Sequence, residues 1–197
     1  MQGIDVSENN GFIDWQAIKN AGIEFAIVRL GYGRQHLDSR FYENVNGCLQ
    51  NEIPFGIYYY SYALDEDEAQ AEADYVDYIL ETSGLKEKIT KGIWYDMEDS
   101  DGYKARRGVT DNQEITNLCS VFINTLWRKN YATVGLYASY DWLTNKIYVD
   151  QLGGCAIWAA QYNATCDYPT ATMWQYTDNL NIGGNLFDGN ILYEKEG

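Results

Sequence analysis

Residues 92–98 read Gly92-Ile93-Trp94-Tyr95-Asp96-Met97-Glu98, a short apolar run that ends on two carboxylates. A bulky run of this length before charged residues predicts a buried strand. Asp96 and Glu98 stand two apart, so on a strand their side chains leave the same face. At about 3.3 Å per residue such positions lie roughly 6–7 Å apart, close enough for two carboxylates to resist ionising together. One can then keep its proton as a general acid while the other stays charged. Paired acids at a strand end are common in acidic chains, so the pair needs company before it carries function.

The rest of the chain supplies that company by repeating the pattern. On the N-terminal side, Gly3–Ser7 reads as a first strand and Asp14 caps a helix through Trp15, Ile18 and Ala21, closed by Gly22. Phe25–Leu30 is a second strand, followed by a helix near residues 39–51. Pro54 precedes a third strand from Phe55 to Ala63, and Asp65 with Glu68 predicts a capping box for a helix ending before Gly84. Beyond residue 98, Asp111 and Glu114 predict a second box, and Val134–Ser139 a fifth strand. Ala156–Tyr162, Ala171–Thr177 and Leu186–Leu192 then follow as strands with little helix between them.

Five βα units and three further strands predict a closed α/β barrel. A regular (β/α)₈ barrel takes about 250 residues. At 197 residues the chain must have lost helices, and the C-terminal third is where they are missing. With no repeat, low-complexity tract or linker, residues 1–197 read as one domain.

Composition narrows the chemistry. With 14 basic and 29 acidic residues the net charge is −15, which disfavours a nucleic-acid surface built on clustered Lys and Arg. There is no phosphate-cradling Gly-Lys-Ser/Thr loop, and His36 is the only histidine, so Ser-His-Asp catalysis and two-imidazole metal sites lose support. No apolar run reaches the ~20 residues of a membrane span, so membrane insertion is not expected. Cys48, Cys119, Cys155 and Cys166 form no CxxC pair and read as reduced thiols, with Cys155–Cys166 the one plausible disulfide. What remains is carboxylate chemistry.

Asp5 ends the first strand and Asp188 lies near the end of the last, so barrel closure would set them side by side, facing the same mouth as Asp96 and Glu98. Four converging acids serve a cation, a positively polarised transition state or shared protons. The 18 Tyr and 6 Trp against 6 Phe favour rings with a polar handle, suited to stacking on sugars. Tyr58, Tyr60 and Tyr62 alternate on the third strand, and Tyr137, Trp158 and Trp174 recur near later strand ends; ordinary packing competes for each of them.

Read in order, Gly3-Ile4-Asp5-Val6-Ser7, Ile13-Asp14-Trp15, Tyr58–Ala63, Trp94-Tyr95-Asp96-Met97-Glu98, Trp158-Ala159-Ala160-Gln161-Tyr162, Trp174-Gln175-Tyr176-Thr177 and Phe187-Asp188-Gly189-Asn190 resemble glycoside hydrolase family 25. These are the Chalaropsis-type lysozymes, which include many phage endolysins and bacterial autolysins. The resemblance implies a distorted, TIM-like (β/α)₅(β)₃ barrel. It also implies cleavage of the β-1,4 bond between N-acetylmuramic acid and N-acetylglucosamine in peptidoglycan. By matching position Glu98 would be the general acid and Asp96 would orient the reacting centre. Asp5 and Asp188 would complete the acidic floor. Tyr60, Tyr62, Tyr137, Trp158 and Gln175 would be the substrate contacts, with no cofactor and no metal. One departure stands out: many members carry Lys-x-Ser/Thr-Glu-Gly after the second strand, where this chain has Arg29-Leu30-Gly31-Tyr32-Gly33. Tyr32 stands where that Glu would be, which leaves open the sugar contact assigned to it without implying loss of activity.

Two routes to cleavage stay open: a carboxylate nucleophile, needing the carboxyls ~5–5.5 Å apart, or attack by the substrate's own N-acetyl group with Asp96 orienting it. The second is preferred. Two other readings compete with a glycosidase. One is a hydrolase holding Mg²⁺ or Ca²⁺ on the four acids. The other is a barrel that binds glycan without turning it over. The partner expected is bacterial peptidoglycan, with a separate wall-binding domain possible beyond Gly197. Met1–Asp5 enters the first strand with no signal-like segment. That fits phage-type release from a host cytoplasm, or a secreted chain whose signal has been removed.

Overall fold

Among the described residues of the computed structural model, 1–193, nine strands form one sheet and eight of them close into a barrel. The single-domain expectation reaches Gly197, and its last four residues lie outside the described ones. The barrel strands are β1 (Gln2–Val6), β2 (Phe25–Tyr32), β4 (Phe55–Tyr60), β5 (Ile89–Asp96), β6 (Val134–Ser139), β7 (Ala156–Ala160), β8 (Met173–Ile182) and β9 (Asn185–Leu192). The two-residue β3 (His36–Leu37) folds antiparallel onto the end of β2. Strands β1 to β8 of the ring run parallel, and β9 closes it antiparallel to both β8 and β1.

Helices α1 (Trp15–Asn20), α2 (Phe41–Gln50), α3 (Glu66–Thr82), α4 (Asn112–Arg128) and α5 (Tyr140–Asn145) follow the first five barrel strands in turn, and among the described residues no α-helix follows the last three. The element order is therefore consistent with the expected five βα units and three strands. None of these helices is long and apolar enough to cross a membrane.

Strand alternation sorts side chains into two cores. One face of each strand packs Ile4, Val28, Ile57, Tyr95 and Leu136 against the helices. The other face fills the barrel with Phe25, Ile27, Trp94, Trp158 and Met173, joined by Tyr58 and Tyr137. Gly135 lies where a Cβ would come within 2.6 Å of the Trp94 ring, so only glycine lets β6 pass that indole. Above this plug the strands present polar side chains to the mouth.

Several boundaries differ from expectation. Strand β4 stops at Tyr60, leaving Ser61–Ala63 outside the sheet, and β5 stops at Asp96, so Glu98 lies just past its strand. The two helix N-termini are capped as predicted by Asp65 and Asp111, but neither box closes. Glu68 takes the Leu64 N–H at 2.9 Å and the exposed Arg34 guanidinium instead. A complete box forms at an unpredicted place, between Ser7 and Asn10. Strands β8 and β9 form a hairpin that runs past Thr177, turned by Gly183 and Gly184, both at positive φ (62° and 92°). All four cysteines are free thiols, so Cys155 and Cys166 are not bridged; Cys48 and Cys119 are buried and the other two half-buried.

Candidate active site

The register of β1 against β9 sets Asp5 directly opposite Asp188. Asp5 is buried, and its Oδ2 accepts hydrogen bonds from Asn190 Nδ2 at 2.7 Å and Gln175 Nε2 at 3.0 Å. Burial, reinforced by the Asp188 charge, pushes the Asp5 carboxyl up to about 8. Asp188 is raised to about 6, by burial first and by nearby Asp178 second, while its hydrogen bond with Asp5 pulls it down. Of the two carboxyls, Asp5 keeps its proton to the higher pH.

Asp96, the last residue of β5, is 5% exposed, and its Oδ1 has no hydrogen-bond partner among the described residues. Burial raises its pKa well above the ordinary range; the charges of Glu98 and Asp5 add to this, and Lys104 and Arg29 oppose it. Glu98 is half-buried. Its pKa is raised mainly by burial, against the pull of Lys104, with Asp101, Asp188 and Asp99 raising it further. Both carboxyls are therefore raised, and in each desolvation rather than acidic company is the leading cause.

The five expected substrate contacts divide. Tyr60 and Tyr62 are half-buried at the rim, their hydroxyls 3.3 Å from Ser100 Oγ and 3.0 Å from Asp101 Oδ2. Tyr137 is half-buried and donates to Gln175 Oε1 at 2.9 Å, beside Tyr162 at 3.1 Å. Gln175 itself is 3% exposed, and with its amide committed to Asp5 it organises the site from below. Trp158 needs correction: at 1% exposed it is roofed by Tyr137, with ring centroids 4.5 Å apart, and leaves no open face for a sugar. Its Nε1 donates to Asn190 Oδ1 at 2.8 Å, so it anchors the residue that holds Asp5. Tyr58 is likewise part of the barrel plug.

Beside Tyr60 a groove of about 350 Å³ is walled by Glu8, Arg29, Tyr32, Tyr62 and Asp101. The departing stretch after β2 lies here. Arg29 is tied to Asp38 at 2.7 Å and Glu8 at 3.0 Å and lies 5.1 Å over the Tyr32 ring. Tyr32 stacks on His36, with centroids 4.3 Å apart. Neither this groove nor two larger hollows, of about 520 Å³ near Arg34 and about 590 Å³ around Cys155 and Thr172, is lined by Asp96 or Glu98. The chemistry follows the carboxylates, not the volume.

Sequence reading missed Lys104 and Glu72. Lys104, on the loop after β5, is 1% exposed; its Nζ donates to the Ser61 carbonyl and reaches the Glu98 carbonyl at 3.4 Å. Glu72 of α3 is buried, accepting from Tyr95 OH at 2.6 Å and Tyr62 N–H at 2.9 Å, and burial raises it to about 7. Asp99-Ser100-Asp101-Gly102-Tyr103-Lys104-Ala105-Arg106-Arg107 has the composition of a solvated loop, with nothing to single out Lys104. Among the described residues no three His, Cys, Asp or Glu side chains are arranged to hold a metal ion.

A mostly parallel barrel whose mouth gathers an acidic pair, a second pair of facing aspartates and tyrosine walls defines a carboxylate-type glycosidase scaffold. The family model described as Glycosyl hydrolases family 25 matches residues 4–185, and the chain belongs to that family. It is 25% identical over 199 residues to lysozyme M1 of Streptomyces globisporus, covering 93% of this chain and 64% of that one. It is 24% identical to the N,O-diacetylmuramidase of Arthroderma benhamiae, covering 97% of this chain and 83% of that one. The modular autolysin LytC of Streptococcus pneumoniae, solved with a synthetic peptidoglycan ligand, superposes with a TM-score of 0.86 at 24% identity, over 98% of this chain and 46% of that one. The chain thus spans less than two thirds of the lysozyme and under half of the autolysin.

Proposed function

We propose that the protein is a peptidoglycan muramidase, cleaving the β-1,4 bond between N-acetylmuramic acid and N-acetylglucosamine in the bacterial cell wall. The observation that carries this reading is the gathering of Asp5, Asp96 and Asp188 at one barrel mouth by strand register and closure, with Glu98 two residues past the end of β5. Membership of the family and likeness to lysozymes support the same substrate class.

Glu98 is the more accessible of its pair and takes the part of general acid, giving its proton to the leaving glycosidic oxygen. Burial weighs more on Asp96, and a sugar covering Glu98 would desolvate it in turn and favour its protonated form. The buried Oδ1 of Asp96 has no partner among the described residues, and an acetamido N–H would satisfy it. That contact turns the acetamido oxygen toward C1, where it forms a bond as the glycosidic C–O bond breaks. Water then opens the ring so formed, yielding its proton to the Glu98 carboxylate and restoring the acid. Asp5, keeping its proton, spares the floor from carrying four full charges. Tyr60, Tyr62 and Tyr137 line the sugar path.

Release of reducing ends from purified peptidoglycan tests this reading, with wild type and Glu98→Gln each assayed with and without EDTA. Cleavage by wild type in EDTA and silence of the variant are expected. Silence of wild type would leave a glycan-binding barrel, and activity lost to EDTA and restored by Mg²⁺ would replace the acid mechanism with a metal-dependent one.

A further inference from the structure

Lys104 is the one buried lysine among the described residues, and an ammonium is expensive to bury unless its charge and its donors are met. Its position is built deliberately. The Asp99 carboxylate accepts the backbone N–H groups of Lys104 at 2.7 Å and Ala105 at 2.9 Å, folding the loop so that the side chain turns inward. Among the described residues no carboxylate oxygen comes within the 4.0 Å of an ion pair with it. Its partners are carbonyls instead. One belongs to Ser61, the first residue past β4; the other to Glu98, two past the end of β5. The Met97 N–H makes a last ladder bond, to Tyr137 O at 2.9 Å, and Glu98 has already left the sheet.

We propose that Lys104 is the positioning residue of the cleft: its ammonium clasps the carbonyls of Ser61 and Glu98 from beneath and fixes the point from which the Glu98 carboxyl reaches the scissile bond. This rests on the muramidase reading of the same mouth. The groups that face the ammonium are Glu72 from α3, Asp96 from β5, Asp99 from its own loop and Cys119 from α4, with the Tyr62 ring 6.0 Å away. Glu72 is engaged by Tyr95 and the Tyr62 N–H. Among cations Lys104 also exerts the strongest pull on the pair, opposing the upward shift of both Asp96 and Glu98.

A purely structural lysine and a positioning lysine separate in the variant Lys104→Met, assayed in the full chain. Positioning predicts a folded protein with KM within twofold of wild type and kcat reduced about 10–100-fold, the scale of a misplaced catalytic group. Both limbs of its pH–kcat profile should also move upward together, since each carboxyl loses the same neighbouring cation. A folded variant with kcat within twofold and both limbs unmoved overturns the proposal. Should Lys104→Met fail to fold, the wild type labelled with ¹⁵N-lysine carries the test. One slowly exchanging ammonium is expected, its ¹⁵Nζ shift following the titration of the carboxyls, and absence of such a signal overturns the proposal. If wild type releases no reducing ends from peptidoglycan, the muramidase reading falls, while the ammonium signal still reports whether Lys104 grips the loop.

Discussion

Asp5 and Asp188 face each other across the antiparallel seam that joins the first barrel strand to the last, and Asp5 keeps its proton far above the usual carboxylate range. Because Asp5 is held at about 8 against an ordinary 3.8, the folded state binds this proton where the unfolded chain has lost it. Stability from that proton is complete below the unfolded value and disappears as pH rises through the folded one. Calorimetry should therefore show the melting temperature falling from about pH 4 to about pH 8 and levelling off above. In Asp5→Asn the amide imitates the protonated acid, and the fall should shrink by several degrees, at about 2–4 °C per kcal/mol for a chain of this size. Equal slopes in the two proteins would deny the proton on Asp5.

Glu98→Gln keeps the shape of the side chain and removes its proton. Loss of a general acid lowers turnover by about 10²–10⁴-fold, and the substitution should leave the melting temperature within about 1–2 °C of wild type. A variant retaining a tenth of wild-type kcat would take the acid role away from Glu98.

Burial raises both Asp96 and Glu98, so the working form of the pair, carrying one proton, persists to higher pH than free carboxylic acids allow. Activity should fall on the alkaline side through a limb well above the ordinary glutamate value, as the remaining proton leaves. A profile of kcat against pH that has already collapsed near pH 4.5 would contradict the site as described.

Asn190 is completely buried and bridges Trp158 Nε1 to the Asp5 carboxyl. Asn190→Ala strands a buried indole N–H and removes a donor from a buried acid, a loss of roughly 2–4 kcal/mol. Urea unfolding should show the midpoint dropping accordingly, and a drop below about 0.5 kcal/mol would mean that another group satisfies the indole.

With a net charge of −15, the protein should be held off a wall that carries anionic polymers. Turbidity loss of whole cells should accelerate from 10 to about 200 mM salt as screening shortens the repulsion. A flat or falling profile would show that charge does not limit access.

Much of the site was legible because its parts lie on the regular elements. Alternation put Asp96 on the inner face of β5, and closure of a ring forced Asp5 beside Asp188. Layer height was not legible. Trp158 and Tyr137 both point into the barrel, but the stagger between strands, which no single strand encodes, decides that one is plug and the other rim. Gln175 was found in the right place and given the wrong task, because its burial depends on neighbours from three other strands. Lys104 escaped because an inward turn of a charged loop rests on the two backbone bonds to Asp99, not on any periodicity. The Gly183-Gly184 hairpin, by contrast, carried a readable signal in two adjacent glycines between strands.

Asp5 and Asn190 stand 185 positions apart and are bonded in the floor of the cleft. During synthesis the chain emerges from its N-terminus, so Asp5, Asp96 and Glu98 all leave the ribosome while the strand that completes their floor is still unmade. Neither the retained proton of Asp5 nor the sealed ring can exist until β9 docks. A truncated or still-tethered chain thus carries the reactive pair without the setting that tunes it, and competence arrives with the last strand rather than building up along the way.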